Sequence, residues 1–180
     1  MGLPDQLTVA RAASVPAVVG LFVADFQGHY YWATALFAVA MATDWFDGRI
    51  ARSRGHTSPL GSLLDPMADK ILVLAVLVML VDADVVPGWM VVAIVSRELL
   101  VSGLRLAALE RGIVLEARDL GKLKTWSQAI AAGVGGFAAA GAWNDSVAWW
   151  FLLVAVALTW LSGLDYARMT PRLFRTGAAA

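Results

Sequence analysis

One stretch, Asp44–Asp69, organises this chain, and it reads DWFDGRIARSRGHTSPLGSLLDPMAD. Long apolar runs flank it on both sides. Asp44 and Asp47 are three residues apart, so on a helix they share one face. Asp65 and Asp69 are four apart and share a face in the same way. Four carboxylates at the ends of two apolar segments repel one another, and burying them is costly unless positive charge joins them.

The donor atoms of this stretch indicate a hard divalent cation as the source of that charge. All four side chains offer oxygen, and the chain contains no cysteine, which favours Mg2+ or Mn2+ over softer metals. Two such ions held by facing acidic pairs suit displacement at phosphorus. The alternative is that the acids pair with nearby bases in a solvated loop, namely Arg49, Arg52, Arg54 and Lys70. Because the acids are phased along helices and the bases fall in or beside the loop, the sequence favours the metal site.

The full pattern D-x2-D-G-x2-A-R-x8-G-x3-D-x3-D is present in this stretch. It resembles the signature of the CDP-alcohol phosphatidyltransferases. Members of that family are integral membrane proteins that join the phosphatidyl group of CDP-diacylglycerol to an alcohol and release CMP. The resemblance implies that Asp44, Asp47 and Asp65 are ligands of two Mg2+ or Mn2+ ions. It also implies that Asp69 is both a ligand and the general base.

Five further positions of the same stretch are candidates for contact with CDP-diacylglycerol. Gly48, Ala51 and Gly61 are small, which lets a bulky ligand approach the backbone closely. The resemblance implies that Gly48, Arg52 and Ser58 contact the CDP part of the substrate.

A shorter resemblance lies at the beginning of the chain. The family's entry pattern P-N-x-L-T-x-x-R is matched by Pro4, Leu7, Thr8 and Arg11, with Asp5 in place of the asparagine. Asp5 and Thr8 are therefore candidates for contact with the nucleotide. The simpler alternative is a helix start with Asp5 as its N-cap.

The composition predicts a membrane protein. The chain has 180 residues, of which 59% are hydrophobic, and its mean hydropathy is +0.69. Soluble domains average roughly 45–50% apolar residues. The formal net charge is zero, which gives no indication of a nucleic-acid partner. The first ten residues lack a basic region before an apolar run, so no signal peptide is expected.

The hydropathy pattern predicts an all-α fold, a single domain over residues 1–180 with six transmembrane helices. About 20 apolar residues are needed for each span. The predicted spans are Thr8–Val23, Tyr31–Arg52, Gly61–Val81, Val86–Leu109, Lys124–Ala142 and Val147–Leu164.

The distribution of bases predicts the orientation of these spans. The loops after the first, third and fifth spans contain no lysine or arginine, and nearly all bases lie at the other helix ends, with Arg97 in mid-span as the exception. By the positive-inside rule, both termini and the acidic site face the cytoplasm from the cell (inner) membrane. Four tryptophans fall near the opposite boundary, as an aromatic belt would: Trp89, Trp143, Trp149 and Trp150.

A second polar block, Ser96–Arg105, lies inside the fourth span. Arg97 and Arg105 are eight residues apart, about 80° around a helix and roughly on one face. One interpretation is a structural ion pair of Glu98 with an arginine, and the other is an anion site built from the guanidinium groups. Both can hold at once. Lys122 and Lys124 open the fifth span, where a basic patch facing the lipid surface is the alternative to a binding role.

These later blocks are similar to those of the family members whose acceptor alcohol is sn-glycerol 3-phosphate. The resemblance implies an acceptor-phosphate site formed by Arg97, Arg105, Lys122 and Lys124, and it implies the family's usual homodimer. Within the same chemistry, inositol phosphate and phosphatidylglycerol are alternative acceptors. A membrane cation transporter is the alternative from another class, since intramembrane acids also mark cation pathways.

Overall fold

The computed structural model describes the backbone of residues 3–54, 59–110 and 119–176, and the side chains of residues 13–43, 70–108, 110 and 120–166. In these residues the chain forms six helices and no strand, so the predicted all-α fold is confirmed. The helices are α1 (Leu3–Val23), α2 (His29–Arg54), α3 (Pro59–Asp82), α4 (Gly88–Glu110), α5 (Asp119–Ala139) and α6 (Asp145–Thr176).

The helix boundaries differ from the predicted spans mainly around α5 and α6. Helix α5 ends at Ala139 rather than Ala142 because Gly141 adopts a left-handed conformation with φ 78°, which a residue without Cβ adopts at little cost. The side chain of Asn144 then caps α6 by accepting a hydrogen bond of 2.8 Å from the backbone N–H of Ser146. Helix α6 continues to Thr176, well past the end of the apolar run at Leu164.

The three short loops after α1, α3 and α5 lie at one end of the bundle. Tyr31, near the start of α2, stacks edge-on against Phe137, near the end of α5, with ring centroids 5.5 Å apart. Leu80, near the end of α3, lies against Gly135 of α5. The acidic half of α2, the first half of α3 and the beginning of α5 therefore belong to the opposite end.

All six helices contribute buried side chains to one core. Helix α5 packs against α6, α2 and α3, while α4 packs against α6 and α3, and α1 covers α2 and α3. The largest fully buried apolar side chains come mostly from α3 and α4, and they are Leu72, Leu77, Leu80, Met90, Ile94 and Leu152. Their spacing along α3 follows the helical period, with one buried stripe facing the neighbouring helices.

Two glycines of α5 allow its neighbours to approach closely. A Cβ built on Gly135 would lie 2.3 Å from Cδ1 of Leu80 in α3, and one built on Gly136 would lie 2.3 Å from Oγ1 of Thr34 in α2. Thr34 is buried, and its hydroxyl donates a hydrogen bond of 2.7 Å to the carbonyl oxygen of Tyr30. Small residues at helix interfaces are typical of bundles that pack in lipid.

By length and hydropathy, one segment among the described residues is apolar enough to cross a membrane, and it is Asp145–Tyr166 in α6.

We expect Gly136→Ala to lower the stability of the bundle. The added Cβ would collide with Thr34, and overpacking of this kind costs about 1–3 kcal/mol. Thermal unfolding of the purified protein in detergent measures the loss. Gly20→Ala in α1 is the matched control, because a Cβ there meets no atom within 4 Å and alanine favours a helix. Equal unfolding temperatures for the two variants would contradict the close packing of α5 on α2.

Candidate functional site

The acidic pattern lies on both sides of the connection between α2 and α3. The backbone places Asp44 and Asp47 in the second half of α2, and Asp65 and Asp69 in the first half of α3. Their side chains lie outside the described residues, and so do the side chains of the predicted CDP-diacylglycerol contacts in α1, α2 and α3, which are Asp5, Thr8, Gly48, Ala51, Arg52 and Gly61. Ser58 falls between the described ranges. Among the side chains that are described, no three acidic or histidine groups come together as a metal site.

A cavity of about 300 Å³, named here the basic cavity, opens at the same end of the bundle. Helices α3, α4, α5 and α6 all contribute to its wall, which contains five bases and one acid. The lining residues are Lys70, Arg97, Glu98, Val101, Ser102, Arg105, Gly121, Lys122, Lys124, Thr125, Trp126 and Tyr166. Since Lys70 directly follows Asp69, the wall of the basic cavity begins one residue after the acidic pattern ends.

Glu98 is the centre of a buried charge cluster in this wall. Its carboxylate accepts hydrogen bonds from Nζ of Lys124 and from Nη1 of Arg97, the latter at 3.3 Å. Its other oxygen lies 3.4 Å from Nζ of Lys70, which is also 3.4 Å from Oγ of Ser102. Glu98, Arg97 and Lys124 are all buried. One acid therefore holds cations from α3, α4 and α5 together.

Arg97 is fixed on two sides. One terminal nitrogen contacts Glu98, and the other donates a hydrogen bond of 2.8 Å to Oγ of Ser162 in α6. A Cβ at Gly163 would lie 3.2 Å from Cγ and Nε of Arg97, so the absence of a side chain there makes room for the arginine. One interpretation of the sequence was a structural ion pair between Glu98 and an arginine. The structure contains this ion pair, and the arginine is Arg97.

Arg105 has a different partner. Its Nη2 donates a hydrogen bond to the hydroxyl of Tyr166, and its guanidinium carbon lies 5.0 Å from the centre of the Tyr166 ring. A cation over an aromatic face is attracted by the ring quadrupole. The Nε of Arg105 is buried and has no hydrogen-bond partner among the described residues. A buried donor without a partner is uncommon in native proteins, which makes this arginine a candidate for contact with a ligand.

A buried polar pair extends the charge cluster towards the core. Nε2 of Gln128 in α5 donates a hydrogen bond of 2.7 Å to Oγ1 of Thr159 in α6, and it also lies 3.5 Å from Oε1 of Glu98. Both Gln128 and Thr159 are buried. Polar groups in a core are stable when they satisfy one another, so this pair positions α5 against α6 below the basic cavity.

All four residues that the sequence predicted for an acceptor phosphate line the basic cavity, although they come from two helices: Arg97, Arg105, Lys122 and Lys124. Sequence reasoning missed Lys70, Ser162 and Tyr166. Their signals were weak. Lys70 adjoins the acidic pattern and was considered only as a partner for the aspartates. Ser162 and Tyr166 are four residues apart and hence on one face of α6, yet no feature of the sequence shows that this face meets α4.

A second opening, named here the apolar groove, runs between α2 and α5 with a volume of about 360 Å³. Its lining residues are Phe37, Ala38, Met41, Ala42, Trp126, Ala129 and Ile130. The groove reaches Ala42, two residues before Asp44. Trp126 lines both the apolar groove and the basic cavity, so the two openings adjoin at this side chain.

Comparisons with known proteins identify the family that the acidic pattern resembles. The model of a family described as CDP-alcohol phosphatidyltransferase matches residues 1–161. The chain is 42% identical over 142 residues to the CDP-diacylglycerol–glycerol-3-phosphate 3-phosphatidyltransferase of Bacillus subtilis (strain 168), covering 72% of this chain and 73% of the relative.

Two further relatives carry the same description and are covered over more of their length. The chain is 35% identical over 180 residues to the protein of Pseudomonas fluorescens, covering 93% of this chain and 89% of the relative. It is 34% identical over 178 residues to the protein of Rickettsia bellii (strain RML369-C), covering 96% and 97%.

We expect Glu98→Gln to destabilise the protein strongly. The amide keeps the shape of the side chain but leaves the buried Arg97 and Lys124 without a counter-charge, and breaking a buried ion pair in this way costs about 3–5 kcal/mol. Thermal unfolding in detergent measures the effect, with Glu110→Gln at the exposed end of α4 as the control. The double variant Glu98→Gln/Lys124→Met should recover part of the loss because it removes one stranded charge. An unfolding temperature of Glu98→Gln equal to that of the control would contradict the role of the cluster.

Proposed function

The chain belongs to the CDP-alcohol phosphatidyltransferase family, and we propose that it transfers the phosphatidyl group of CDP-diacylglycerol to sn-glycerol 3-phosphate, giving phosphatidylglycerophosphate and CMP. Relatives at 34–42% identity are described as enzymes of this reaction. The predicted intramembrane acids also allowed a membrane cation transporter as an alternative function. We reject that alternative because the chain belongs to this family of transferases.

The observation that carries the choice of acceptor is the basic cavity. A phosphomonoester has a charge of about −1.5 to −2 at neutral pH. Five bases with a single acid among them give the wall of the cavity an excess of positive charge that offsets the desolvation of such a group. Arg97, Arg105, Lys122 and Lys124 bind the acceptor phosphate in this proposal, and Lys70 joins them. Free glycerol, which is uncharged, would gain nothing from these groups.

The four aspartates fit a site for divalent cations by their chemistry. Their donors are all carboxylate oxygens, the kind that Mg2+ and Mn2+ prefer, and they occupy the positions of the family's pattern. Asp44, Asp47, Asp65 and Asp69 would hold the ions, two in number. When bound, the ions would stabilise the charge that develops on the attacking and leaving oxygens.

The proposed reaction is a displacement at the phosphatidyl phosphorus. Asp69 takes the proton from the primary hydroxyl of glycerol 3-phosphate, and the hydroxyl oxygen forms a bond to that phosphorus. The bond from phosphorus to the oxygen of the CMP phosphate breaks, and CMP leaves with that oxygen. A carboxylate is a weak base for an alcohol at neutral pH, so holding the two substrates in position must supply most of the rate enhancement.

Binding of CDP-diacylglycerol divides between a polar and an apolar region. The nucleotide and diphosphate contact Asp5, Thr8, Gly48, Ala51, Arg52, Ser58 and Gly61 in this proposal. One acyl chain lies in the apolar groove between α2 and α5, since the groove ends two residues before Asp44 and is lined by apolar side chains. An acyl chain that moves from the bilayer into this groove passes from one apolar environment to another, so the groove positions the chain and adds no hydrophobic driving force.

The proposed location is the cell (inner) membrane, with six spans and with both termini and the acidic site on the cytoplasmic side. Large apolar side chains are exposed all around the bundle, which suits contact with lipid; they include Val39, Val78, Val92, Leu100, Ile130, Val154 and Leu161. Exposed Trp89, Trp143 and Trp150 lie near the three loops that lack bases, as an interfacial belt on the other side would. A homodimer, proposed from the resemblance to the family, completes the assembly.

We expect glycerol 3-phosphate, and not free glycerol, to be the acceptor. The purified protein would be incubated with CDP-diacylglycerol and, in parallel, with glycerol 3-phosphate, glycerol, inositol phosphate or phosphatidylglycerol, and the release of CMP measured. The charge of the basic cavity predicts release with glycerol 3-phosphate and none with glycerol. Turnover with inositol phosphate instead would keep the chemistry and overturn the proposed acceptor.

We expect Asp69→Asn to abolish turnover while CDP-diacylglycerol still binds. The amide has nearly the same shape but does not take up the proton. Asp44→Asn should weaken both turnover and binding, because it removes a ligand of the ions that hold the diphosphate. An excess of chelator should stop CMP release from the wild-type protein. Near-normal turnover of Asp69→Asn would assign the base to another residue, and full activity with chelator would remove the ions from the mechanism.

A further inference from the structure

Helix α6 supplies a hydroxyl partner to each arginine of the basic cavity. Ser162 accepts a hydrogen bond from Arg97, and Tyr166, one turn later, accepts one from Arg105. Both hydroxyl residues lie beyond the segment that matches the family model, which ends at residue 161. The wall that α6 adds to the site therefore lies outside the residues that the family model matches.

The two arginines are held differently. Arg97 gives one terminal nitrogen to Glu98 and the other to Ser162, and its side chain is 3% exposed. It acts as a fixed charge in the wall. Arg105 is half-buried, gives Nη2 to Tyr166, and keeps a buried Nε without a partner among the described residues. Nε of Arg97 is likewise buried without a partner among the described residues, but both terminal nitrogens of Arg97 are engaged. The described residues give Arg105 a partner at Nη2 alone, and Arg105 is the less buried of the two. Arg105 therefore has the greater hydrogen-bonding capacity left for a ligand.

Tyr166 restrains Arg105 in two ways at once. The hydroxyl fixes one end of the guanidinium, and the ring lies against its face at 5.0 Å. Tyr166 itself is buried, so it has little freedom to move. A free arginine side chain has about 2 kcal/mol of rotamer entropy, part of which must be lost when it binds a phosphate. An arginine that is already held loses less of it on binding.

We propose that Tyr166 is a positioning residue for the acceptor substrate: it holds Arg105 at the wall of the basic cavity so that the acceptor's phosphate meets an ordered guanidinium. This inference rests on the proposed function, since it assumes an acceptor with a phosphate group. It assigns to α6 a part in selecting the acceptor, and none in binding CDP-diacylglycerol. A residue that only packed α6 against α4 would affect both substrates equally when changed.

Tyr166→Phe is the decisive substitution, because it keeps the ring and removes the hydroxyl. A hydrogen bond to a charged group that is lost in this way should raise the KM for glycerol 3-phosphate about tenfold. The KM for CDP-diacylglycerol should stay within about twofold of the wild-type value, because the guanidinium of Arg105 contacts the acceptor's phosphate and not CDP-diacylglycerol in this proposal. Tyr31→Phe at the opposite end of the bundle is the matched control and should change neither constant. An unchanged KM for glycerol 3-phosphate, or equal rises for the two substrates, would overturn the proposal.

A double-mutant cycle shows whether Tyr166 acts through Arg105. Arg105→Ala should raise the KM for glycerol 3-phosphate by itself, and Tyr166→Phe should add almost nothing in that background. Additive effects would overturn the assignment. A failure of the proposal for Tyr166 can be told apart from a failure of the proposed function. If the wild-type protein uses another phosphorylated alcohol, the proposed acceptor is wrong, and the same cycle measured with that alcohol still tests Tyr166. If it uses an uncharged alcohol, both proposals fall.

Discussion

The burial of Glu98 among cations from neighbouring helices constrains the whole site end of the bundle. Lys70 comes from α3, Arg97 from α4 and Lys124 from α5, and Arg97 continues the chain of contacts to Ser162 in α6. A buried charge without its partner costs several kcal/mol, so these helices are stable together in an arrangement that brings all the partners to one carboxylate. The wall of the basic cavity is positively charged because that arrangement gathers five bases around a single acid.

Much of the fold could be predicted from hydropathy, because each helix is an apolar run bounded by polar residues or glycine. The exceptions have local causes. Hydropathy does not distinguish a helical glycine from a left-handed one, and Gly141 ends α5 three residues before its apolar run ends. Hydropathy also does not predict the end of α6, which continues to Thr176 beyond its apolar run. A helix is held by its backbone hydrogen bonds, which polar residues form as well as apolar ones. The spacing of the four aspartates, from which the metal site is predicted, concerns side chains outside the described residues and stays a prediction.

The basic cavity could be predicted only in part, and the limit is physical. Periodicity tells which residues share a face of one helix, as it did for Arg97 and Arg105, but not which helix packs on that face. The contact between α4 and α6 joins residues more than sixty positions apart. Tyr166 also lies beyond the apolar run of α6, where a sequence reading expects a tail. Its pairing with Arg105 therefore becomes visible only when the helices are assembled.

Helix α5 explains why openings form at one end of the bundle and close packing at the other. Near its end, Gly135 and Gly136 bring α3 and α2 into close contact, through Leu80 and Thr34. Near its beginning, it carries Lys122, Lys124 and Trp126 in place of small residues, and there the basic cavity opens on one side and the apolar groove on the other. Trp126 lines both. A transfer between a lipid and a water-soluble phosphate needs an apolar and a charged region that meet beside the reacting groups. The change from large to small side chains along α5 provides such a meeting point at the end where α2 and α3 carry their aspartates.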